Sequence, residues 1–163
     1  MSFVVSGSGL GLCLTFGIGF VAGLRSMTAP AVVAWAAHLG WINLSGTPLA
    51  FMGSVWAVAI FTLGALGEYV ADKLPNTPSR TAPIGLGARI VTGLLTGACL
   101  GTAAGLSLWL GAIVGAIGAV AGTFGGYRSR VGLVRRLQVK DIAVAIPEDL
   151  VAIGLGLLIV TRF

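Results

Sequence analysis

Between Arg89 and Arg128 the chain runs for 38 residues, Ile90 to Tyr127, without a charged side chain. Drawn as one α-helix at 1.5 Å per residue, that stretch would be about 57 Å long, roughly twice the hydrocarbon thickness of a bilayer. A water-soluble domain cannot cover so much uncharged surface, and a single straight helix would overshoot a membrane. The segment must therefore fold back as a helical hairpin within lipid. Gly105, Leu106 and Ser107 are its natural turn.

The remaining sequence agrees with this frame. Only 9% of the 163 residues are charged, 56% are apolar, and the mean hydropathy is +1.01. A soluble domain carries about 25% charged residues, so a soluble globular enzyme, a disordered tail and a disulfide-stapled secreted module are all excluded. The net charge of +5 would suggest nucleic acid in a soluble protein. Here the basic excess is explained by membrane topology, and no nucleic-acid partner is expected. At roughly 20 residues per crossing, the chain is one domain with about six transmembrane helices.

The expected spans are Phe3 to Leu24, Leu49 to Val70, the two arms of the hairpin, and a last one from Ile142 or Pro147 to Val160. Thr28 to Ile42 is apolar but short, so it either spans or re-enters. Charge bias favours spanning. Arg25, then Lys73, Arg80 and Arg89, then Arg128 to Lys140 all fall on one face in that case, with Arg162 the exception. That face should be cytoplasmic, with both chain ends outside, as in a multi-pass protein of a bacterial inner membrane. The first apolar stretch has no basic segment before it, which argues against a cleaved signal peptide.

Three connections are legible. Asn43 to Pro48 is turn chemistry, and Leu74 to Pro83 contains three prolines and cannot continue a helix. Arg128, Arg130, Arg135, Arg136 and Lys140 alternate with Val131, Leu133, Val134 and Leu137. This segment is expected to be a short amphipathic helix on the membrane surface, binding anionic lipid headgroups.

Gly93, Gly97, Gly101 and Gly105 recur every fourth residue; Gly111 and Gly115, then Gly118, Gly122 and Gly126, do much the same in the next helix, and Gly7, Gly11, Gly19 and Gly23 in the first. Such stripes let helix backbones approach closely, and they suggest a homo-oligomer as well as tight internal packing. A glycine-lined conduit is the alternative. Gly23-Leu24-Arg25-Ser26 and Gly126-Tyr127-Arg128-Ser129 occupy equivalent helix ends. They are either a remnant of duplication or convergence on the same end chemistry.

No nucleophile elbow, phosphate loop, zinc motif or dinucleotide fingerprint occurs. Cys13 and Cys99 lie in apolar runs and read as free buried thiols, and His38 has no second histidine with which to share a metal. No cofactor, metal or catalytic residue is expected. What remains is a set of charges at one face. Glu68 and Asp72 lie four apart on one helix, and Arg89 sits across the proline loop. Glu68, near its helix's carboxyl end, opposes the helix dipole and needs a partner, Arg89 or Arg25. Pro147-Glu148-Asp149 reads as the start of the last helix, where acids are favoured for structural reasons alone. Ser26-Met27-Thr28-Ala29-Pro30 reads as a helix start with a hydroxyl cap.

The run Gly23 to Pro30, with Glu68, Ala71-Asp72-Lys73-Leu74-Pro75, Pro78-Ser79-Arg80 and Arg89, resembles a family of small bacterial integral membrane proteins. That family is a domain of unknown function, the 4126 family, and the likeness covers nearly the whole chain. The resemblance implies a polytopic membrane protein in which Arg25, Glu68, Asp72, Pro78, Ser79, Arg80 and Arg89 belong together. It implies no substrate.

Three functions compete. Transport or channel activity would use Arg25, Arg89 and Arg80 to hold an anionic group, Glu68 and Asp72 to carry a coupling ion, and Glu148 and Asp149 from the last helix. An accessory membrane protein would use the same charges only to pair with each other. An enzyme acting on a lipid-linked phosphate would use the four acids to hold a divalent cation. Transport is favoured, because nearly all the chain lies in lipid and charges of both signs meet at one end.

Overall fold

The computed structural model describes residues 8–72, 81–138 and 141–163. These fold into six α-helices with no strand among them: α1 (Ser8–Leu24), α2 (Thr28–His38), α3 (Val55–Ala71), α4 (Pro83–Ala103), α5 (Leu108–Leu137) and α6 (Asp141–Val160). A 3-10 turn, Ala50–Gly53, precedes α3. Three helices, α4, α5 and α6, are long and apolar enough to cross a membrane, and α1 and α3 are shorter apolar helices. The protein is an all-helical polytopic membrane protein.

The predicted hairpin forms α4 and α5. Ala104 to Ser107 connects them, with Gly105 at φ 77°, a left-handed conformation in which a Cβ is strained. The Ser107 hydroxyl then caps α5 by accepting from the Leu110 N–H.

Successive helices alternate in direction. Arg89 near the start of α4 reaches the Gly23 carbonyl at the end of α1, and Gly11 near the start of α1 lies against Ala104. Short α2 turns back from α1 and pairs antiparallel with α3: Thr28 bonds Tyr69, Trp35 bonds Thr62, and the His38 ring bonds the Gly53 carbonyl. Eight of its eleven residues are buried, so it is the central strut of the bundle. It leaves from the end that holds Arg25, Glu68, Asp72 and Arg89, which puts these charges together as the spanning alternative required. At 11 residues it rises only about 16 Å, and Ile42, Leu44, Leu49 and Met52 from the following loop and turn fill the core below it.

The glycine stripes join α1, α4 and α5. A Cβ at Gly101 would lie 2.6 Å from Gly111 Cα, one at Gly115 2.7 Å from Gly97 Cα, and one at Gly23 2.8 Å from Gly122 Cα. Real Cβ atoms do not approach that closely, so the three backbones touch. This is the packing reading, and it leaves no room for a conduit along that seam.

Several expectations change. Cys99 is a buried free thiol, but Cys13 is exposed on α1. The basic segment after Tyr127 is not a separate surface helix: α5 continues through it to Leu137 as one helix of 30 residues. Nothing in that segment breaks a helix until Gln138, which takes a left-handed conformation. Pro147 also does not open α6. The helix begins at Asp141 and carries the proline inside it, where Pro147 has no N–H to offer the Ala143 carbonyl.

The bundle's outer surface carries its own depth scale. Exposed Trp41, Trp56 and Trp109 lie at the end remote from the charges. From Trp109 to Arg128 is 19 residues of helix, about 29 Å, which matches a hydrocarbon core of about 30 Å. Thr123, level with Gly23, is then about 8 Å inside the Arg128 boundary. Arg89 lies six residues into α4, about 9 Å, and Asp149 eight residues into α6, about 12 Å.

Candidate functional site

The site is assembled where α1 ends, α2 begins and α3 ends. Arg25 occupies the elbow between α1 and α2 and is fully buried. Its Nη1 donates to Asp72 Oδ2 at the end of α3, and its Nη2 lies 2.5 Å from Asp149 Oδ1 on α6. The guanidinium carbon stands 5.8 Å from the centre of the Tyr69 ring, within cation–π range. One arginine thus ties three helices together. A planar fork of fixed donors suits that task, whereas a lysine ammonium is a single point charge.

Glu68 has a different task. Its Oε1 accepts from the Ser26 backbone N–H at 2.9 Å and the Ser26 hydroxyl at 3.0 Å, and its Oε2 accepts from the Met27 N–H at 2.8 Å. The carboxylate therefore caps the start of α2 from another helix. An acid disfavoured at the end of its own helix sits at the positive end of its neighbour, which removes the dipole conflict seen in the sequence. The hydroxyl cap expected within Ser26–Pro30 is corrected: the α2 N-cap residue is Met27, without a side-chain cap bond, and both nearby hydroxyls face α3 instead.

Arg89 is buried beside Glu68, its Nη2 3.6 Å from Oε1. Its Nε donates to the Gly23 carbonyl at 3.2 Å and its Nη1 to the Gly85 carbonyl at 3.0 Å. Thr123 of α5 also donates to Gly23. A cation at the carboxyl end of α1 thus mirrors the anion at the amino end of α2.

Of the predicted site residues, Arg25, Glu68, Asp72, Arg89 and Asp149 come together. Glu148 faces Arg130 of α5 at 3.5 Å. Glu148 and Asp149 are past the first turn of α6, so the helix-start reading is overturned for both; their contacts are with arginines from other helices. Arg80 and Lys140 lie outside the described residues. Among the residues expected to bind lipid, Arg128, Arg135 and Arg136 are exposed along the end of α5, while Arg130 is turned toward α6. The four acids do not converge as a metal-holding group among the described residues. Sequence reasoning missed Tyr69, Thr28, Thr123 and the backbone of Ser26 and Met27. Only the pair Glu68-Tyr69, polar at the end of an apolar helix, hinted at them.

Fold and site together define a small polytopic helical membrane protein with a buried charge network at one end of its bundle. Residues 12–162 match the family model described as a domain of unknown function (DUF4126), and the chain belongs to that family. No curated protein and no solved structure matches it.

Proposed function

We propose that the protein is a small multi-span transporter or channel-like protein for an anionic solute, with Arg25 and Arg89 as the groups that draw the anion in. One observation carries this reading: a fully buried arginine shared by two carboxylates, one of them eight residues inside α6. Ionisable groups at such depth are costly and serve a pathway more often than a surface. Glu68, Asp72 and Asp149 are the internal counter-ions that an incoming anion must displace. The basic end faces the cytoplasm of a bacterial cell, in accord with the positive-inside bias.

The test is uptake of succinate, and separately of phosphate, by vesicles holding the purified protein, with side-specific labelling of Ser129→Cys to read orientation. Wild-type uptake above protein-free vesicles, lost in both Arg25→Lys and Arg89→Lys, is the expected result. Uptake that survives both substitutions overturns the roles given to these residues. The accessory reading has its own support, since each arginine of the network already has a partner within the chain. It predicts no uptake of either probe.

The exposed arginines of α5 are proposed to hold anionic lipid, and the protein to assemble with further copies of itself. Each basic residue near an anionic surface is worth about 1 kcal/mol. Native mass spectrometry in mild detergent should show oligomers retaining anionic lipid, with the lipid lost when Arg128, Arg135 and Arg136 are all replaced by Gln. Monomers only, or undiminished lipid, contradicts the corresponding proposal.

A further inference from the structure

The seat occupied by the Glu68 carboxylate has the make-up of a ligand site. Two consecutive backbone N–H groups, a serine hydroxyl and a buried arginine converge on one carboxylate at the start of a helix. The oxygens are held as a fork, one by Ser26 and the other by Met27. Immediately before Ser26 stands Arg25, completely buried, whose Nε has no hydrogen-bond partner among the described residues. A buried cation with an unused donor, one residue before the Ser26 N–H of this fork, marks a place with more binding capacity than the present contacts consume.

The helix that supplies the occupant is peripheral. α3 packs mainly against α2 and the turn before it, not against the glycine-joined trio α1, α4 and α5. Val55, Trp56, Ile60, Leu63, Leu66 and Val70 remain exposed along it. Its tip brings Glu68, Tyr69 and Asp72 to the network together. With that tip withdrawn, Arg25, Arg89, the Ser26 and Thr28 hydroxyls and the α2 amino end would face Asp149 of α6, with Glu148 and Arg130 paired to one side. The remaining seat is net cationic and open at the place where a carboxylate now sits.

We infer that Glu68 is a tethered ligand, and that the seat at the start of α2 takes a free carboxylate in its place when the tip of α3 moves aside. The inference rests on the transport reading for its consequence, because it names the substrate class, a small carboxylate. A planar two-oxygen anion fits the fork. A phosphate would need further donors, and two of Arg25's three nitrogens are already committed to Asp72 and Asp149. A tethered competitor lowers apparent affinity by the fraction of time the seat is free.

The experiment measures binding in detergent, without flux. Acetate and propionate, with chloride and phosphate as controls, are titrated calorimetrically at constant ionic strength. Glu68→Ala should bind both carboxylates at least tenfold more tightly than the wild type. Glu68→Gln, which preserves shape and removes the competing charge, should shift the same way and decides the matter if the alanine variant does not fold. A second arm locks α3 in place. A Cβ at Gly64 would lie 3.7 Å from Met27 Cβ, within the span of about 3.5–4.5 Å that a disulfide needs. In a chain with Cys13→Ser and Cys99→Ser, oxidised Met27→Cys/Gly64→Cys should bind no carboxylate and should regain wild-type binding on reduction. Equal carboxylate affinity in the wild type and both Glu68 variants, unaltered binding after oxidation, or a preference for phosphate would each overturn the inference. Binding that follows the expected pattern without vesicle uptake leaves the seat standing and removes transport. Uptake indifferent to the disulfide does the reverse.

Discussion

Arg25→Ala should destabilise the folded protein by about 3–5 kcal/mol, whereas Arg128→Ala, in the same Gly-x-Arg-Ser sequence, should change stability by less than about 0.5 kcal/mol. The two arginines differ in surroundings. Arg25 is fully buried and bound to Asp72 and Asp149, so its removal takes the shared cation away from two largely buried carboxylates. Arg128 is exposed at the membrane boundary. The cost at Arg25 comes from the stranded acids more than from the lost contact, so Asp72→Asn with Asp149→Asn in the Arg25→Ala background should recover most of it. Unfolding in graded SDS, read by circular dichroism, measures all four proteins. Equal losses for Arg25→Ala and Arg128→Ala, or no recovery in the triple variant, would contradict the assignment of Arg25 as the tie between three helices.

The second large effect belongs to the glycine seam. Gly115 lies where α5 meets α4, and a methyl group there would sit 2.7 Å from Gly97 Cα and 3.1 Å from Gly97 N. Backbone cannot give way as a side-chain tip can, so the helices must separate along their length. Gly115→Ala should cost about 1–3 kcal/mol, and Gly115→Val should prevent assembly of a stable bundle. Gly67 and Gly154 provide the control: both are helical and have open space where a Cβ would point. Alanine at either should be neutral or stabilise by about 0.5–1 kcal/mol through helix propensity. The same SDS titration separates the two kinds of glycine. Parity between Gly115→Ala and Gly154→Ala would mean that the stripes are compositional and not a packing device.

Arg25 and Glu68 also change the bearing of the functional reading. Glu68 looks in sequence like a candidate carrier of a coupling ion, yet it is already spent on the amino end of α2. Arg25 takes the two aspartates instead. The network is therefore a set of exchangeable internal partners, with α3 as the element that can be exchanged. The elbow between α1 and α2 is the fixed part, because α1 is held to α5 by Gly19 and Gly23.

The class of this protein was determined by its sequence. A run of 38 uncharged residues leaves a chain no option but lipid and a hairpin, and a glycine every fourth position leaves those helices no option but contact. Hydrophobicity and helical period are local or one-dimensional properties, so they survive without a fold. The grouping of charges at one end was legible for the same reason, since membrane crossings reverse direction at each turn. The partners of those charges were decided only by tertiary structure. That Glu68 meets the start of α2 as well as Arg89 depends on where α2 lies beside α3, and nothing in either segment encodes that alone. Likewise Asp149, 124 residues from Arg25, becomes its partner only because α6 packs against both α1 and α2. A carboxylate can be satisfied by an arginine, a helix end or a hydroxyl with similar energy. The packing of the bundle, and not the chemistry of the residue, makes that choice.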